Sequence, residues 1–524
     1  MPMCRSQILI TENLITTKNN TMADLAKLAG RRKSGHPHLF PHGDDSAHIN
    51  RIIRFVIVLA VSLFLWCVPP STLGLPDLTL VQQRMIAIFV FAALMWMFEI
   101  ISSWSTSMIV VVVMLLTISD SSVWFMDKAL GSQPMGTQVS YVSIMASFAD
   151  PVIMLFIGGF ILAIAATKSG IDVVLARIML RPFGHQSRFV LLGFLLVTAT
   201  FSMFISNTAT AAMMLMFLTP VLKTLPADGK GKIGLALAIP IGANVGGMGT
   251  PIGTPPNAIA LKYLNDVNGA NLDIGFGQWV SVMFPYMLVI LLLSWAVLLW
   301  LFPFKQKEIH LEIEGKMERN WRTWVVNITF AVTVLCWILD KAIGINANVV
   351  AMIPVGVFCA TGIITKKDLQ DINWSVLWMV AGGFALGTGL QDTGLAQHLI
   401  ENIPFSSWSP VLMIVGSGLI CWSLSNFISN TATAALLVPI LAIVGRSMST
   451  QLSAIGGEGT LLMGIAVSTS LAMMLPISTP PNALAHATGM VRQRDMEKVG
   501  VLIGIVGLAL GYAMLVVLGK NGFF

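Results

Sequence analysis

The sequence predicts an all-α protein that crosses a membrane many times. Hydrophobic residues make up 55% of its 524 residues and charged residues only 11%, whereas a soluble domain carries roughly 25% charge. The apolar segments are long and lack the ten-residue alternation of outer-membrane β-strands, so they are expected to be helices. Two of them are uncharged, unusually long and polar at their centres, which indicates that they turn back inside the membrane.

The charged residues and cysteines exclude several classes of protein. The net charge of +6 comes from Lys and Arg in short clusters between apolar segments, which indicates membrane topology rather than nucleic-acid binding. Five cysteines are scattered singly and eight histidines show no ligand spacing, so neither a disulfide framework nor a metal site of these residues is expected. Residues 1–50 are polar, include a basic cluster and lack the apolar core of a signal peptide. They are interpreted as a disordered basic cytoplasmic tail, with an amphipathic surface helix as the alternative.

Two long uncharged segments are predicted to form re-entrant hairpins. Residues 189–222 are too long for one span of about 20 residues and too short for two spans with a turn. Ser206-Asn207-Thr208 lies near the middle of this segment, and Ser429-Asn430-Thr431 lies likewise within 409–445. Polar tips at mid-membrane are tolerated only where the irregular backbone faces protein or a cavity.

The distribution of cations supports this interpretation. If both segments are hairpins, the basic clusters at 181–188, 223–232, 305–322, 366–367 and 492–498 all lie on the same side as the basic amino terminus, while residues 263–276 and 391–408 contain no Lys or Arg. The positive-inside rule therefore favours about eleven transmembrane helices plus two hairpins over thirteen spans. The expected location is the inner (plasma) membrane, with the amino terminus cytoplasmic and the carboxyl terminus outside.

An internal repeat relates the two halves of the chain. Gly158-Gly159-Phe160 corresponds to Gly382-Gly383-Phe384 (382 − 158 = 224), the two Ser-Asn-Thr triplets correspond (429 − 206 = 223), and Thr254-Pro255-Pro256-Asn257 corresponds to Thr479-Pro480-Pro481-Asn482 (479 − 254 = 225). The two hairpins are expected to open to opposite sides, so the repeats are inverted. Such repeats are typical of carriers with a binding site at the repeat interface.

The repeated motifs suit an anion held together with cations. One Ser-Asn-Thr could simply cap a helix and one Thr-Pro-Pro-Asn could simply kink one, but second copies at matching positions favour a shared function. An unwound span frees carbonyl oxygens for a cation, and the helix that restarts points its amide groups at an anion.

The missing charges sharpen this expectation. No Lys, Arg, Asp or Glu lies within 189–222 apart from its edges, 233–261, 404–445 or 460–491. A divalent anion there needs compensation, because desolvating an ion costs several kcal/mol and a helix amino end supplies only about half a charge. Bound cations must supply the rest, and neutral hydroxyl, amide and carbonyl oxygens suit an alkali cation.

The remaining assignments divide the chain and place one ion pair. Residues 51–149 are assigned to scaffold helices, 150–276 to the first repeat core, 277–373 to scaffold and linking helices, and 374–524 to the second repeat core. Lys168 and Asp172 are four residues apart and are expected to pair on one helix.

The paired Ser-Asn-Thr and Thr-Pro-Pro-Asn motifs in inverted halves resemble the divalent anion/sodium symporter family of bacterial dicarboxylate and animal citrate carriers. The resemblance covers about residues 50–524. It implies a homodimer in which a transport domain moves against a fixed scaffold, an elevator mechanism. It also implies a transporter rather than an enzyme, with sodium-coupled symport of C4-dicarboxylates (succinate, malate, fumarate) and at least two sodium ions per protomer.

The resemblance also implies which residues bind. The first sodium site would use Ser202, Ser206, Asn207 and Gly253, and the second would use Ser425, Ser429, Asn430 and Ser478. Each leading serine stands one helical turn before the triplet, on the same helix face. The substrate would contact Asn207, Thr208, Thr254, Pro255, Asn430, Thr431, Thr479 and Pro480.

Other functions remain open at this point. A sulfate or tricarboxylate symporter, or a sodium-independent dicarboxylate exchanger, would keep the same fold. The membrane subunit of a sodium-translocating enzyme is an alternative of another class, but it would be expected to hold catalytic or charge-relay residues within its spans. A channel would give currents without saturable uptake.

Overall fold

A computed structural model describes residues 45–524 except for 74, 76, 125, 127–132, 226–228, 267–268, 310–319, 403–407 and 524. Within these residues the secondary structure is helical and contains no strand beyond two isolated β-bridges, which confirms the all-α prediction. Most of the predicted tail, residues 1–44, lies outside the described residues. Residues 45–56 are helical.

The first part of the chain contributes six helices. They are α1 (Asp45–Cys67), α2 (Leu80–Phe98), α3 (Ser103–Thr117), α4 (Tyr141–Ala146), α5 (Pro151–Ser169) and α6 (Ile171–Leu180).

In the described residues, seven stretches are long and apolar enough to cross a membrane: Ile49–Cys67, Leu80–Phe98, Tyr141–Ser169, Phe276–Leu301, Trp321–Ile338, Asn430–Ser447 and Gln493–Lys520. The protein therefore passes through the membrane several times.

The first hairpin and broken span follow the motifs. They comprise α7 (Ser187–Ser202), α8 (Asn207–Thr224), α9 (Gly231–Gly247) and α10 (Pro255–Leu264). Ser206 caps α8, because its side chain accepts a hydrogen bond from the Ala209 N–H at 3.3 Å. Pro255 begins α10, where a missing N–H costs nothing. Both helix starts are thus determined locally.

The middle of the chain leads from the first repeat into the second, whose predicted core begins at residue 374. It comprises α11 (Phe276–Leu301), α12 (Trp321–Ile338), α13 (Asp340–Ile343), α14 (Ala347–Val350), α15 (Met352–Ala360), α16 (Trp374–Asp392) and α17 (Leu395–Asn402). Exposed apolar side chains such as Trp300 and Ile328 lie on these helices. Such faces suit contact with lipid.

The second repeat has the same helix pattern as the first. A π-helical turn (Leu412–Gly416) leads into α18 (Ser417–Ser425), followed by α19 (Asn430–Ser447), α20 (Ser449–Ser453), α21 (Gly457–Ser470), α22 (Pro480–Ala487) and α23 (Gln493–Lys520). The first repeat's α10 packs against α19 and α21, while the second repeat's α22 packs against the corresponding α8 and α9. The second half of each broken span therefore packs against the other repeat, as expected for two repeats related by a two-fold axis.

Glycines on α9 allow its close contact with α7. A Cβ atom added at Gly246 would lie 2.4 Å from Cα of Ala199, and one added at Gly242 would lie 2.8 Å from the Leu195 carbonyl oxygen. Only glycine permits this approach. The first hairpin and the broken span are therefore packed backbone against backbone.

The predicted pairing of Lys168 with Asp172 is wrong. Gly170, at φ 71°, ends α5 and separates the two side chains onto different helices. Lys168 instead contacts Asp368, with Nζ and Oδ2 2.7 Å apart, and also donates to the Ile363 carbonyl at 2.8 Å. The pattern of four residues predicted one continuous helix, and the glycine break removes that geometry.

Asp368 begins a short 3-10 helix (Asp368–Asp371) before α16 and accepts hydrogen bonds from several donors. It accepts hydrogen bonds from Lys168 and from the N–H and hydroxyl of Thr365, at 2.7, 2.7 and 2.6 Å. Burial alone would raise the pKa of this carboxyl, but these hydrogen bonds lower it to about 2. Its contribution to stability is therefore complete above the unfolded pKa of about 3.9 and is lost progressively as the pH falls from there through the folded pKa of about 2.

Candidate functional site

The first hairpin tip gathers three of the four residues predicted for one sodium site. The buried Ser202 hydroxyl lies 2.7 Å from Oδ1 of Asn207 and 2.8 Å from the Ala243 carbonyl oxygen. A Cβ atom at Gly247 would lie 2.8 Å from Oδ1 of Asn207, and one at Gly253 would lie 2.4 Å from the Gly247 carbonyl oxygen. The serine, the amide and the Gly253 backbone thus surround the last turn of α9.

The unwound segment between α9 and α10 is held in shape by a motif asparagine. Nδ2 of Asn257 donates to the carbonyl oxygens of Gly247 at 2.9 Å and Thr250 at 2.8 Å. The Gly253 N–H donates to the Thr250 hydroxyl at 3.0 Å. The last residue of the Thr-Pro-Pro-Asn motif therefore fixes the backbone beside the first tip.

The second hairpin tip repeats the first. The buried Ser425 hydroxyl donates to Oδ1 of Asn430 at 3.0 Å, which corresponds to the pair of Ser202 and Asn207. Ser429 caps α19 by accepting from the Ala432 N–H at 3.2 Å. The same serine and amide pair is thus built twice, at the start of each helix that follows a tip.

Asn426, which was not predicted, joins the second unwound segment to the second tip. Ser478 donates from Oγ to the Asn426 carbonyl oxygen at 2.9 Å, and the Met474 N–H donates to Oδ1 of Asn426 at 2.8 Å. Nδ2 of Asn482 donates to the carbonyl oxygens of Met473 and Leu475 at 2.8 and 3.0 Å. Ser478 thus lies next to the tip that holds Ser425 and Asn430.

A second unpredicted residue joins the halves. Nδ2 of Asn244, on α9, donates to Oγ1 of Thr479 at 3.1 Å and to Oδ1 of Asn482 at 3.2 Å. Asn244 is the only polar side chain of α9 besides Lys232 in its first turn, and that isolation was a usable signal. Asn426 directly follows a predicted ligand, but only the fold shows which segment it contacts.

The predicted substrate contacts differ in exposure. The Thr208 side chain is exposed. The other three threonines are buried, with exposed fractions of 8% for Thr431 and 5% for both Thr254 and Thr479. Pro255 and Pro480 begin α10 and α22, so four helices (α8, α10, α19 and α22) start at the motifs. Their free amide groups and partial positive charges suit an anion.

The donor set is neutral. In the part of the chain that the structure describes, no group of three or more His, Cys, Asp and Glu side chains could hold a metal. The tips and breaks offer hydroxyl, amide and carbonyl oxygens instead. This chemistry fits an alkali cation better than zinc or copper.

One cavity lies away from the predicted ligands. Its volume is about 280 Å³, it lies between the segments near 273–276 and 340–348, and none of the predicted ligands lines it. Its charged groups already have partners: Asp340 accepts from the Phe276 N–H at 2.6 Å, and Lys341 pairs with Asp273. This cavity is therefore separate from the predicted ligands.

Comparison with known proteins identifies the family. A family model for the transmembrane region of sodium:sulfate symporters matches residues 49–521. An uncharacterized transporter of Haemophilus influenzae is 34% identical over 391 residues, covering 70% of this chain and 81% of that protein. The sodium-dependent dicarboxylate transporter SdcS of Staphylococcus saprophyticus is 28% identical over 411 residues, covering 72% and 78%.

A solved structure shares the fold. MtrF of Neisseria gonorrhoeae, described within a class of antimetabolite efflux pumps, superposes with a TM-score of 0.52 at 14% identity, over 80% of this chain and 95% of that one. At this identity the likeness concerns the fold alone. Because the family model matches nearly the whole chain, the protein belongs to the sodium:sulfate symporter family, the divalent anion/sodium symporters, and is a multi-pass membrane transporter.

Proposed function

We propose that the protein takes up C4-dicarboxylates such as succinate, malate and fumarate together with sodium ions. The observation that carries this proposal is a pair of contacts between a buried serine and a half-buried asparagine, Ser202 with Asn207 and Ser425 with Asn430, in segments without charged side chains. Relatives named as sodium-dependent dicarboxylate transporters support the choice of substrate and ion.

The charge balance requires bound cations. Two carboxylates buried among neutral oxygens would face a desolvation cost of several kcal/mol each, and each helix amino end returns only about half a charge. One sodium ion at Ser202, Ser206, Asn207 and Gly253, and a second at Ser425, Ser429, Asn430 and Ser478, would neutralise the dianion. We therefore propose at least two sodium ions per protomer.

The substrate would lie between the two tips. Asn207, Thr208, Asn430 and Thr431 supply amide and hydroxyl donors at the starts of α8 and α19. Thr254 and Thr479, each followed by proline, would close the site from the two broken spans. Each asparagine would then contact both an ion and a carboxylate, which couples their binding.

The proposed movement is an elevator. Both hairpins and both broken spans pack against one another, so they can move as one body that exposes the site to each side in turn. We place the protein in the inner membrane as a homodimer, with a cytoplasmic amino terminus.

Labelling of the variant Thr208→Cys tests the elevator. A membrane-impermeant thiol reagent should reach this cysteine from both sides of the membrane during turnover. Labelling from one side only, with transport intact, would refute the elevator.

The substrate is tested with purified protein in liposomes. Uptake of labelled succinate along a sodium gradient should be inhibited by excess malate or fumarate and little affected by equal sulfate or citrate. Sulfate is the main alternative, because the family model is described by sodium and sulfate. Efficient uptake of labelled sulfate with no uptake of succinate would replace the proposed substrate.

A further inference from the structure

The orientation of the Asn244 amide is fixed by its neighbours in the other repeat. Both Nδ2 hydrogens of Asn482 are used by the carbonyl oxygens of Met473 and Leu475, so Oδ1 of Asn482 faces Asn244 and requires a donor. Among the described residues, Nδ2 of Asn244 supplies it, at 3.2 Å. The second hydrogen of the same Nδ2 group is then directed at Thr479.

This arrangement determines what the Thr479 hydroxyl can do. A hydroxyl has one hydrogen and two acceptor lone pairs. Oγ1 of Thr479 accepts from Nδ2 of Asn244 at 3.1 Å and from the Asn482 N–H at 3.4 Å. With both lone pairs engaged, the hydroxyl can only act as a donor toward a further group.

The first repeat lacks this arrangement. Thr254, which corresponds to Thr479, makes no capping hydrogen bond with its side chain. Position 469 corresponds to Asn244 at the offset of the Thr-Pro-Pro-Asn motifs (244 + 225 = 469), and the Thr469 hydroxyl donates to Ala466 within its own helix. The two threonines are therefore unequal although their motifs are identical.

We propose that Asn244 is a positioning residue that presets Thr479 as a hydrogen-bond donor to one end of the divalent anion. It acts through Thr479 without touching the anion. The inference rests on the proposed placement of Thr479 at the substrate. It implies that the second repeat supplies a rigid donor, whereas the Thr254 hydroxyl in the first repeat is free to adapt to the other end of the anion.

The test compares five variants with the wild type in proteoliposomes. Asn244→Ala removes the hydrogen bonds to Thr479 and Asn482. The isosteric Asn244→Asp replaces the donor by a carboxylate oxygen, which would accept a hydrogen bond from the Thr479 hydroxyl and so turn it away from the anion. Thr479→Ala removes the proposed donor, and the double variant N244A/T479A measures coupling. Thr469→Ala is the matched control, because it removes a buried hydroxyl at the corresponding position whose hydrogen bond stays within its own helix.

The expected result is a change in KM for the anion rather than in maximal rate. N244A should raise KM about tenfold, as for one lost hydrogen bond to a charged group, and N244D should raise it further. T469A should stay within about twofold. The double variant should match T479A within about twofold, because Asn244 acts only through Thr479.

Other outcomes would overturn the inference. One is a KM of N244D within about twofold of the wild-type KM. The other is a fold increase in KM for the double variant that equals the product of the fold increases in N244A and T479A. Thermal unfolding of each purified variant identifies loss of folding, and if N244A is not recovered folded, N244D alone decides the matter. The assay uses whichever dianion the wild type transports, so a change of substrate would refute the proposed function while still testing Asn244.

Discussion

Replacing Asn207 or Asn430 with alanine is expected to lower sodium-driven uptake by at least about 100-fold. Each amide accepts from a buried serine, Ser202 or Ser425, and is proposed to contact both a sodium ion and a substrate carboxylate. Losing two hydrogen bonds or ligand bonds to charged groups costs about 1.5–3 kcal/mol each. Because 1.4 kcal/mol is a factor of ten, the combined loss exceeds 100-fold.

Initial uptake rates at limiting sodium measure this loss. Asn521→Ala is the matched control, since that amide is exposed near the end of α23 and donates only to the Val517 carbonyl. Size-exclusion chromatography in detergent should show the same assembly for all three variants. Near-normal uptake by either Asn207→Ala or Asn430→Ala would contradict the proposed double role of these amides.

Gly253→Ala is expected to reduce the apparent sodium affinity by at least about tenfold. The added Cβ would lie 2.4 Å from the Gly247 carbonyl oxygen, closer than Cβ atoms and backbone oxygens approach. Gly247 itself lies against the Asn207 amide, so the backbone shift would reach a second proposed ligand. Displacing ligands by even 1 Å strongly weakens a preorganised site.

A sodium titration of uptake tests this expectation. Gly356→Ala on α15 is the control, because a Cβ added there has no neighbour within 4 Å beyond its own helical backbone. That variant should keep the wild-type sodium dependence. An unchanged sodium dependence in Gly253→Ala would show that the Gly253 backbone does not contribute to an ion site.

The helix starts at the site could be predicted because local chemistry determines them. Serine before Asn207 and Asn430 caps a helix, and Pro255 and Pro480 favour the first helical position. The spacing of Ser202 and Ser206 predicted one helix face, which is wrong because α7 ends at Ser202 and α8 begins at Asn207. The turn between the two helices nevertheless brings Ser202 to Asn207. The local sequence therefore predicts where the helices at the site begin and which residues lie there.

The contacts between distant segments could not be predicted in this way. Asn244 and Thr479 are 235 residues apart, and Asn426 and Ser478 are 52 apart, so only the packing of the two repeats brings them together. The ion pair of Lys168 was misassigned for the same reason, because its partner Asp368 is 200 residues away. The motif asparagines Asn257 and Asn482 also proved to hold the unwound backbone.

Sodium dependence of uptake tests the central claim most directly, since a site of neutral oxygens binds a dianion only with bound cations. Purified wild-type protein in liposomes is given labelled succinate with an inward sodium gradient, or with sodium replaced by potassium or choline. Saturable uptake that requires sodium and falls to the level of protein-free liposomes without it is the predicted result. Undiminished net uptake in potassium or choline would contradict the account.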